Sequence, residues 1–150
     1  MKSLPKYDAL ALLAAPTVLE GPLQFSPSRN RPWHHIIEQG LLQPDGTRAG
    51  LLAKLEYSIT KTTHLRTVQC SVFQAQLGGP VRVYQLTVTS SKRPIKDLHS
   101  LSHEHIGDYR SPGQAAWGAW SFEQTLAYFC QQTNITITDP IDHPETLRLR

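Results

Sequence analysis

Leu51-Leu52-Ala53-Lys54-Leu55-Glu56-Tyr57-Ser58-Ile59-Thr60 is the stretch that decides the fold. Leu51, Ala53, Leu55, Tyr57 and Ile59 alternate with Lys54, Glu56, Ser58 and Thr60, the period of two that a half-buried strand requires. Thr62-Thr63-His64 then turns the chain. Arg66 to Leu77 reads as a second strand, with Val68, Cys70 and Val72 on one face and Ser71, Phe73 and Ala75 on the other. Gly78-Gly79 is a hairpin signal, and Val81 to Thr89 forms the third strand, Tyr84, Leu86 and Val88 facing away from Val83, Gln85 and Thr87. Consecutive strands with links this short make an antiparallel meander.

Working outward, Ser121 is a helix N-cap, and Gln124, three residues on, completes a capping box. Phe122, Leu126, Phe129 and Cys130 give that helix one apolar stripe to lay on the sheet, with Tyr128 at its side. Ile135 to Thr138 reads as a short closing strand, ended by Asp139-Pro140. Upstream, a short helix is predicted from about Pro5 to Ala15, stopped by Pro16. Pro22, Pro27, Pro32 and Pro44, with Gly21, Gly40 and Gly46, predict an irregular segment over residues 16–50. Within it, Trp33, Ile36, Ile37 and Leu41 suit a short helix or turn, and residues 141–150 read as a partly ordered tail. The expectation is one α+β domain over residues 1–150. It has a largely antiparallel four-stranded sheet, a C-terminal helix packed on one face and a short N-terminal helix.

A chain of 150 residues is long enough to bury a real core without staples. Fifteen basic residues against twelve acidic ones leave a charge of +3, which permits an anionic partner without demanding one. No segment is long or apolar enough to span a membrane. Lys2 and Lys6 before the apolar run Ala9 to Ala15 give the start the outline of a secretory peptide, but Pro5 and Asp8 interrupt it and the run is short. Cytoplasmic location is expected. Cys70 and Cys130 fall inside regular elements, which reads as free thiols in a reducing compartment.

The densest chemistry is His103-Glu104-His105-Ile106-Gly107-Asp108-Tyr109-Arg110, close after His99. If this segment is extended, His103 and His105 share a face with backbone origins about 7 Å apart, from two strand rises. Two imidazoles so placed suit acid–base work on a phosphodiester or a shared metal ion. In the first reading Arg110, Lys92, Arg93 and Lys96 supply cations for the transition state, and Tyr109 supplies a hydrogen bond. In the second, His99, His103, His105 and Asp108 provide ligands suited to zinc, iron or nickel. A cupin-like site asks for a glycine before the histidines and a glutamate after them. Asp97 stands near the first place and Tyr109 and Arg110 near the second. The expectation is therefore no cofactor. A third reading makes the histidines a solvated strand end, with Gly107-Asp108 as a turn. Elsewhere, Arg29, Arg31 and Trp33 form a loop mixture able to hold a phosphate backbone or stack a base, or simply to anchor Trp33 on the core edge. No nucleophile elbow or phosphate-binding glycine loop occurs.

Arg82-Val83-Tyr84-Gln85-Leu86, then a His-rich turn, His103-Glu104-His105 and a closing helix, resembles the TumE group of small toxins from bacterial toxin–antitoxin pairs. The resemblance runs from Leu51 to Ile137 and carries over His103 and His105 alone. It implies a toxin acting on RNA and a cognate antitoxin as partner. The function expected is a toxin-like ribonuclease using His103 and His105 as acid and base, without metal, and with Arg29, Arg31, Trp33, Lys92, Arg93 and Lys96 binding RNA. The alternative is a non-enzymatic protein-binding module, an antitoxin, immunity protein or phage-encoded inhibitor, with Trp117 and Trp120 as anchors, although the large apolar area of these indoles favours core packing against the sheet.

Overall fold

In the computed structural model, which describes residues 1–31, 33–60, 62, 65–90 and 101–145, Leu51 to Ile59 of the deciding stretch lie within one strand of a nine-stranded sheet. The chain runs α1 (Lys6–Leu13), β1 (Thr17–Leu19), β2 (Ser26–Pro27), β3 (His34–Leu42), β4 (Arg48–Ile59), β5 (Arg66–Gln74) and β6 (Val81–Ser90). Then follow β7 (His103–Ile106), β8 (Tyr109–Pro112), a 3-10 turn (Ala115–Ala119), α2 (Phe122–Thr133) and β9 (Ile135–Ile137). Neighbours across the sheet are β8-β7-β6-β5-β4-β3-β1-β9, with β2 also paired to β3. All pairs are antiparallel except β1 with β9.

Register carries the alternation of β4 across the sheet. Leu55 stands opposite Cys70, and Cys70 opposite Leu86; Ala53, Val72 and Tyr84 form the next row. All six are essentially out of water. α2 lies over this face because its stripe matches it: Phe129 packs against Tyr84 with ring centroids 5.9 Å apart, and Phe122 meets Phe25 edge-on at 5.8 Å. The Ser121–Gln124 capping box forms as expected and fixes where α2 starts. At its other end, left-handed Asn134 stops the helix and its Nδ2 donates to the carbonyl of Ala14 at 3.0 Å. Ala9 and Leu13 of α1 complete the core.

The β7–β8 turn is fixed by the N-terminal segment. Gly107 has φ +57°, and a Cβ there would come within 2.4 Å of the Leu4 carbonyl oxygen. Only glycine allows the backbone of Leu4 and Pro5 to pass so close. Asp108 accepts the backbone N–H of Lys6 at 3.0 Å, tying the same turn to the first turn of α1.

The α+β class and the antiparallel meander stand, but the sheet is larger than four strands and mixed. Trp33 to Leu42 is not a short helix or turn. His34–Leu42 is a strand whose His35, Ile37 and Leu41 are buried, paired along β4 from Ser58 to Arg48. The Pro-rich segment 16–50 thus holds β1, β2, β3 and the start of β4. The closing strand is present but pairs in parallel with β1, Thr136 opposite Val18. Ser111 and Pro112, a serine–proline pair before Gly113 that reads as a loop signal, instead end β8. In the segment expected to be a tail, Pro144 is fully buried and His143 packs edge-on against Tyr57 and Phe122.

Candidate functional site

The histidine segment is extended, as its spacing allowed. Thr87 stands opposite His103 and Gln85 opposite His105, while β8 places Pro112 and Arg110 on their other sides. Pairing partners share a face, so His103, His105 and Arg110 lie together on the side of the sheet away from α2. The two imidazole centroids are 5.1 Å apart with planes at 88°. His103 donates Nδ1–H to the carbonyl of Leu101 at 2.8 Å, the only role a carbonyl partner permits. His103 and Arg110, with Ser102 and Thr89, line a recess of about 460 Å³.

Arg82 joins this group through a break in register that the sequence does not announce. Val72 pairs with Tyr84, but its neighbour Phe73 pairs with Arg82, which leaves Val83 as an extra residue. The bulge turns Arg82 onto the histidine face, where Nη1 donates to Gln85 Oε1 at 3.3 Å. Burial first, then the positive charges of Arg82, His103 and Arg110, hold the His105 imidazole down at about 4. His105 is therefore neutral at neutral pH. Its Nδ1 and the Nε of Arg82 are buried and lack hydrogen-bond partners among the described residues. Two guanidiniums and two imidazoles so placed, with the buried Nε–H of Arg82 unmatched among the described residues, make a face that attracts an anion.

The acidic groups of this segment point elsewhere. Glu104 lies between the histidines but faces α2, where it accepts the Tyr84 hydroxyl and the Gln132 amide, the latter at 3.1 Å. Burial and then the Glu104 carboxylate push the Tyr84 phenol far up and Tyr128 up to about 12, so both stay protonated. Glu104 thus fixes β7 to the helix from below while the histidines stand above.

Several sequence-selected residues fall outside this cluster. Tyr109 pairs with Ile106, so alternation puts it on the opposite face from Arg110, with Lys6 Nζ 4.2 Å above its ring. It does not reach the histidines' side. Asp108 is turned to α1, and no three His, Cys, Asp or Glu side chains converge as metal ligands among the described residues. His99, Lys92, Arg93 and Lys96 lie outside the described residues. Trp117 is buried and stacks on Trp120 at 5.0 Å, with Tyr128 closing the aromatic group, so these indoles pack the molecule rather than project from it. Cys70 and Cys130 are free, and burial raises both, Cys130 to about 11.

The loop patch is split. Arg29 is exposed and apart, whereas Arg31 and Trp33 line a second recess of about 630 Å³ with His34, Glu56 and Gln69. This recess opens on the histidine face too. His34 Nε2 lies 3.1 Å from Glu56 Oε1, Gln69 Nε2 donates to Glu56 Oε2 at 3.2 Å, and Thr87 donates to Gln69 Oε1 at 3.4 Å. The chain of contacts crosses from β3 to β6 and ends opposite His103. Glu56 and Thr87 belong to the half of the alternation that faces away from Leu55 and Leu86, and only the recognition of β3 would have brought His34 to them. No helix of the described residues is long and apolar enough to cross a membrane. No protein-family model, no curated protein and no solved structure matches the chain.

Proposed function

We propose that the β6–β8 face is the centre of a metal-independent, RNA-directed ribonuclease of toxin type, in line with the TumE resemblance. The observation that carries the reading is the cluster of His103, His105, Arg110 and Arg82 on one face, with the acidic side chains of β7 and its turn aimed away. His105, neutral at neutral pH, takes the proton of a ribose 2′-hydroxyl. The 2′-oxygen bonds to phosphorus, the bond from phosphorus to the 5′-oxygen breaks, and His103 in its protonated form gives that oxygen a proton. Arg110 and Arg82 neutralise charge developing on the phosphoryl oxygens. The products are a 2′,3′-cyclic phosphate and a 5′-hydroxyl. A base held near 4 is weak, but a bound phosphodiester offsets the two guanidiniums and raises it toward the working range.

The test is cleavage of a labelled RNA oligonucleotide by the purified chain in the presence of a chelator. Expected are cyclic-phosphate ends, a bell-shaped pH profile, and loss of about 10²- to 10⁴-fold in His103→Ala and in His105→Ala. Arg110→Ala lowers the rate without abolishing it. RNA left intact by the wild-type chain, or cut equally well by the double-histidine variant, ends this reading in favour of a protein-binding module.

A further inference from the structure

From the second recess we infer a nucleoside-binding subsite that seats a base of the same RNA strand whose phosphate is held at the histidines; the inference rests on the ribonuclease reading for its neighbour but not for its own chemistry. The wall between the two recesses is a single cross-strand pair. Thr67 lines the larger recess, Thr89 lines the smaller, and the two stand opposite each other in β5 and β6. One extended ligand can therefore reach both; Glu56 on β4 and His103 on β7 are three strand spacings of about 4.8 Å apart, so it must span more than one nucleotide.

The chemistry of the larger recess differs from that of the smaller in the way a base differs from a phosphate. Trp33, 42% exposed, offers an aromatic surface, and stacking on such a surface accepts any base. Arg31 beside it supplies a cation for a phosphate or a second stacking plane. The floor is polar and held in place: Glu56 is gripped by His34, by Lys54 at 3.6 Å and by Gln69. Those contacts leave acceptor capacity on Glu56 Oε2, which has one donor among the described residues where an ionised carboxylate oxygen accepts two. A base that presents an amino or imino N–H along its edge fits that acceptor; uracil fits less well than guanine, because its imino N–H lies between two carbonyl oxygens that repel a carboxylate, whereas guanine's lies beside an amino group. The ligand class is a nucleoside monophosphate unit of single-stranded RNA.

The experiment is binding, measured separately from cleavage. The full chain is titrated with GMP, AMP, CMP and UMP, and with ribose 5-phosphate and inorganic phosphate, by calorimetry. The nucleotides are expected to bind at least tenfold tighter than ribose 5-phosphate, with GMP ahead of UMP. Trp33→Ala should weaken nucleotide binding by about tenfold while Trp33→Phe keeps it, and Glu56→Gln should narrow the gap between GMP and UMP. Should Trp33→Ala fail to fold, Arg31→Ala, on an exposed side chain, carries the same comparison. Equal affinity for nucleotides and ribose 5-phosphate overturns the subsite, leaving a phosphate patch only. Nucleotide binding without RNA cleavage keeps the subsite and ends the ribonuclease; cleavage without base-dependent binding does the reverse.

Discussion

Compare the two faces of the meander formed by β4, β5 and β6. On one, Leu55, Cys70 and Leu86 follow one another across the strands under α2; on the other, one residue along, Glu56, Gln69 and Thr87 do the same. The first row is apolar and closed to water, and its stabilisation scales with buried area, at roughly 25 cal/mol per Å². The second row is polar and joined by hydrogen bonds that each return only about 1 kcal/mol net. Yet Ser71 and Thr87 on that face are 0% and 6% exposed, so it is a packed surface rather than a fringe of solvated side chains. Ser71 accepts from Gln85 at 3.0 Å, and Gln85 in turn holds Arg82. Stability therefore concentrates on one face, and the other is free to hold groups chosen for chemistry.

The largest effect that could break this division is on the histidine face. His103→Ala or His105→Ala should remove about 10²- to 10⁴-fold of RNA cleavage while leaving the thermal midpoint within a few degrees of wild type. A variant that unfolds instead would show the second face to be structural. The mirror image is Phe129→Ala, which empties a fully buried ring from beneath Tyr84 and should destabilise by about 3–5 kcal/mol in chemical denaturation. A loss below about 1 kcal/mol would mean that α2 is not what holds the core face.

How far this was legible in the sequence follows the range of each interaction. Leu51 to Thr60, Gly78-Gly79 and Ser121–Gln124 are local patterns, and each produced the element expected of it. His34–Leu42 was missed because Trp33, Ile36, Ile37 and Leu41 mimic a helical stripe, and because proline and glycine flank the run. Tyr109 was placed with the histidines because it adjoins Arg110 in sequence. The hairpin at Gly107-Asp108 sets the register, and register sends neighbours to opposite faces. The parallel pairing of β9 with β1 joins residues more than a hundred positions apart, and no local pattern records it. Arg82 entered the site through a bulge, which breaks the alternation on which the reading relied.

Glu104 is where the two faces meet, and it gives a smaller, sharper test. It shares a four-residue strand with both histidines but accepts hydrogen bonds from Tyr84 and Gln132 on the core side. Glu104→Ala leaves those donors facing a hole and should cost about 1–3 kcal/mol of stability. If the division between faces is strict, nucleotide and RNA binding persist in this variant at temperatures where it stays folded. A loss of cleavage in the folded variant, with RNA binding retained, would identify Glu104 as a residue that positions the histidines through β7.

The smallest expected effect concerns acid. His105 titrates near 4 in the folded chain against about 6.5 when unfolded, so between those values the unfolded chain binds more protons. Stability linked to His105 is then complete above about 6.5 and is lost as pH falls toward 4. The ring is only half-buried, so solvent screening reduces the loss to the order of 1 kcal/mol. Denaturant midpoints for wild type and His105→Gln from pH 7 to pH 4 isolate this contribution, because the substitution removes the titrating group and keeps a polar side chain. The wild type should lose more stability than the variant across that window. Adding inorganic phosphate should narrow the gap, since an anion between Arg82 and Arg110 offsets the charges that, after burial, hold His105 down. Identical slopes for the two proteins would show that His105 does not sit among those cations in solution, and the site would lose its base.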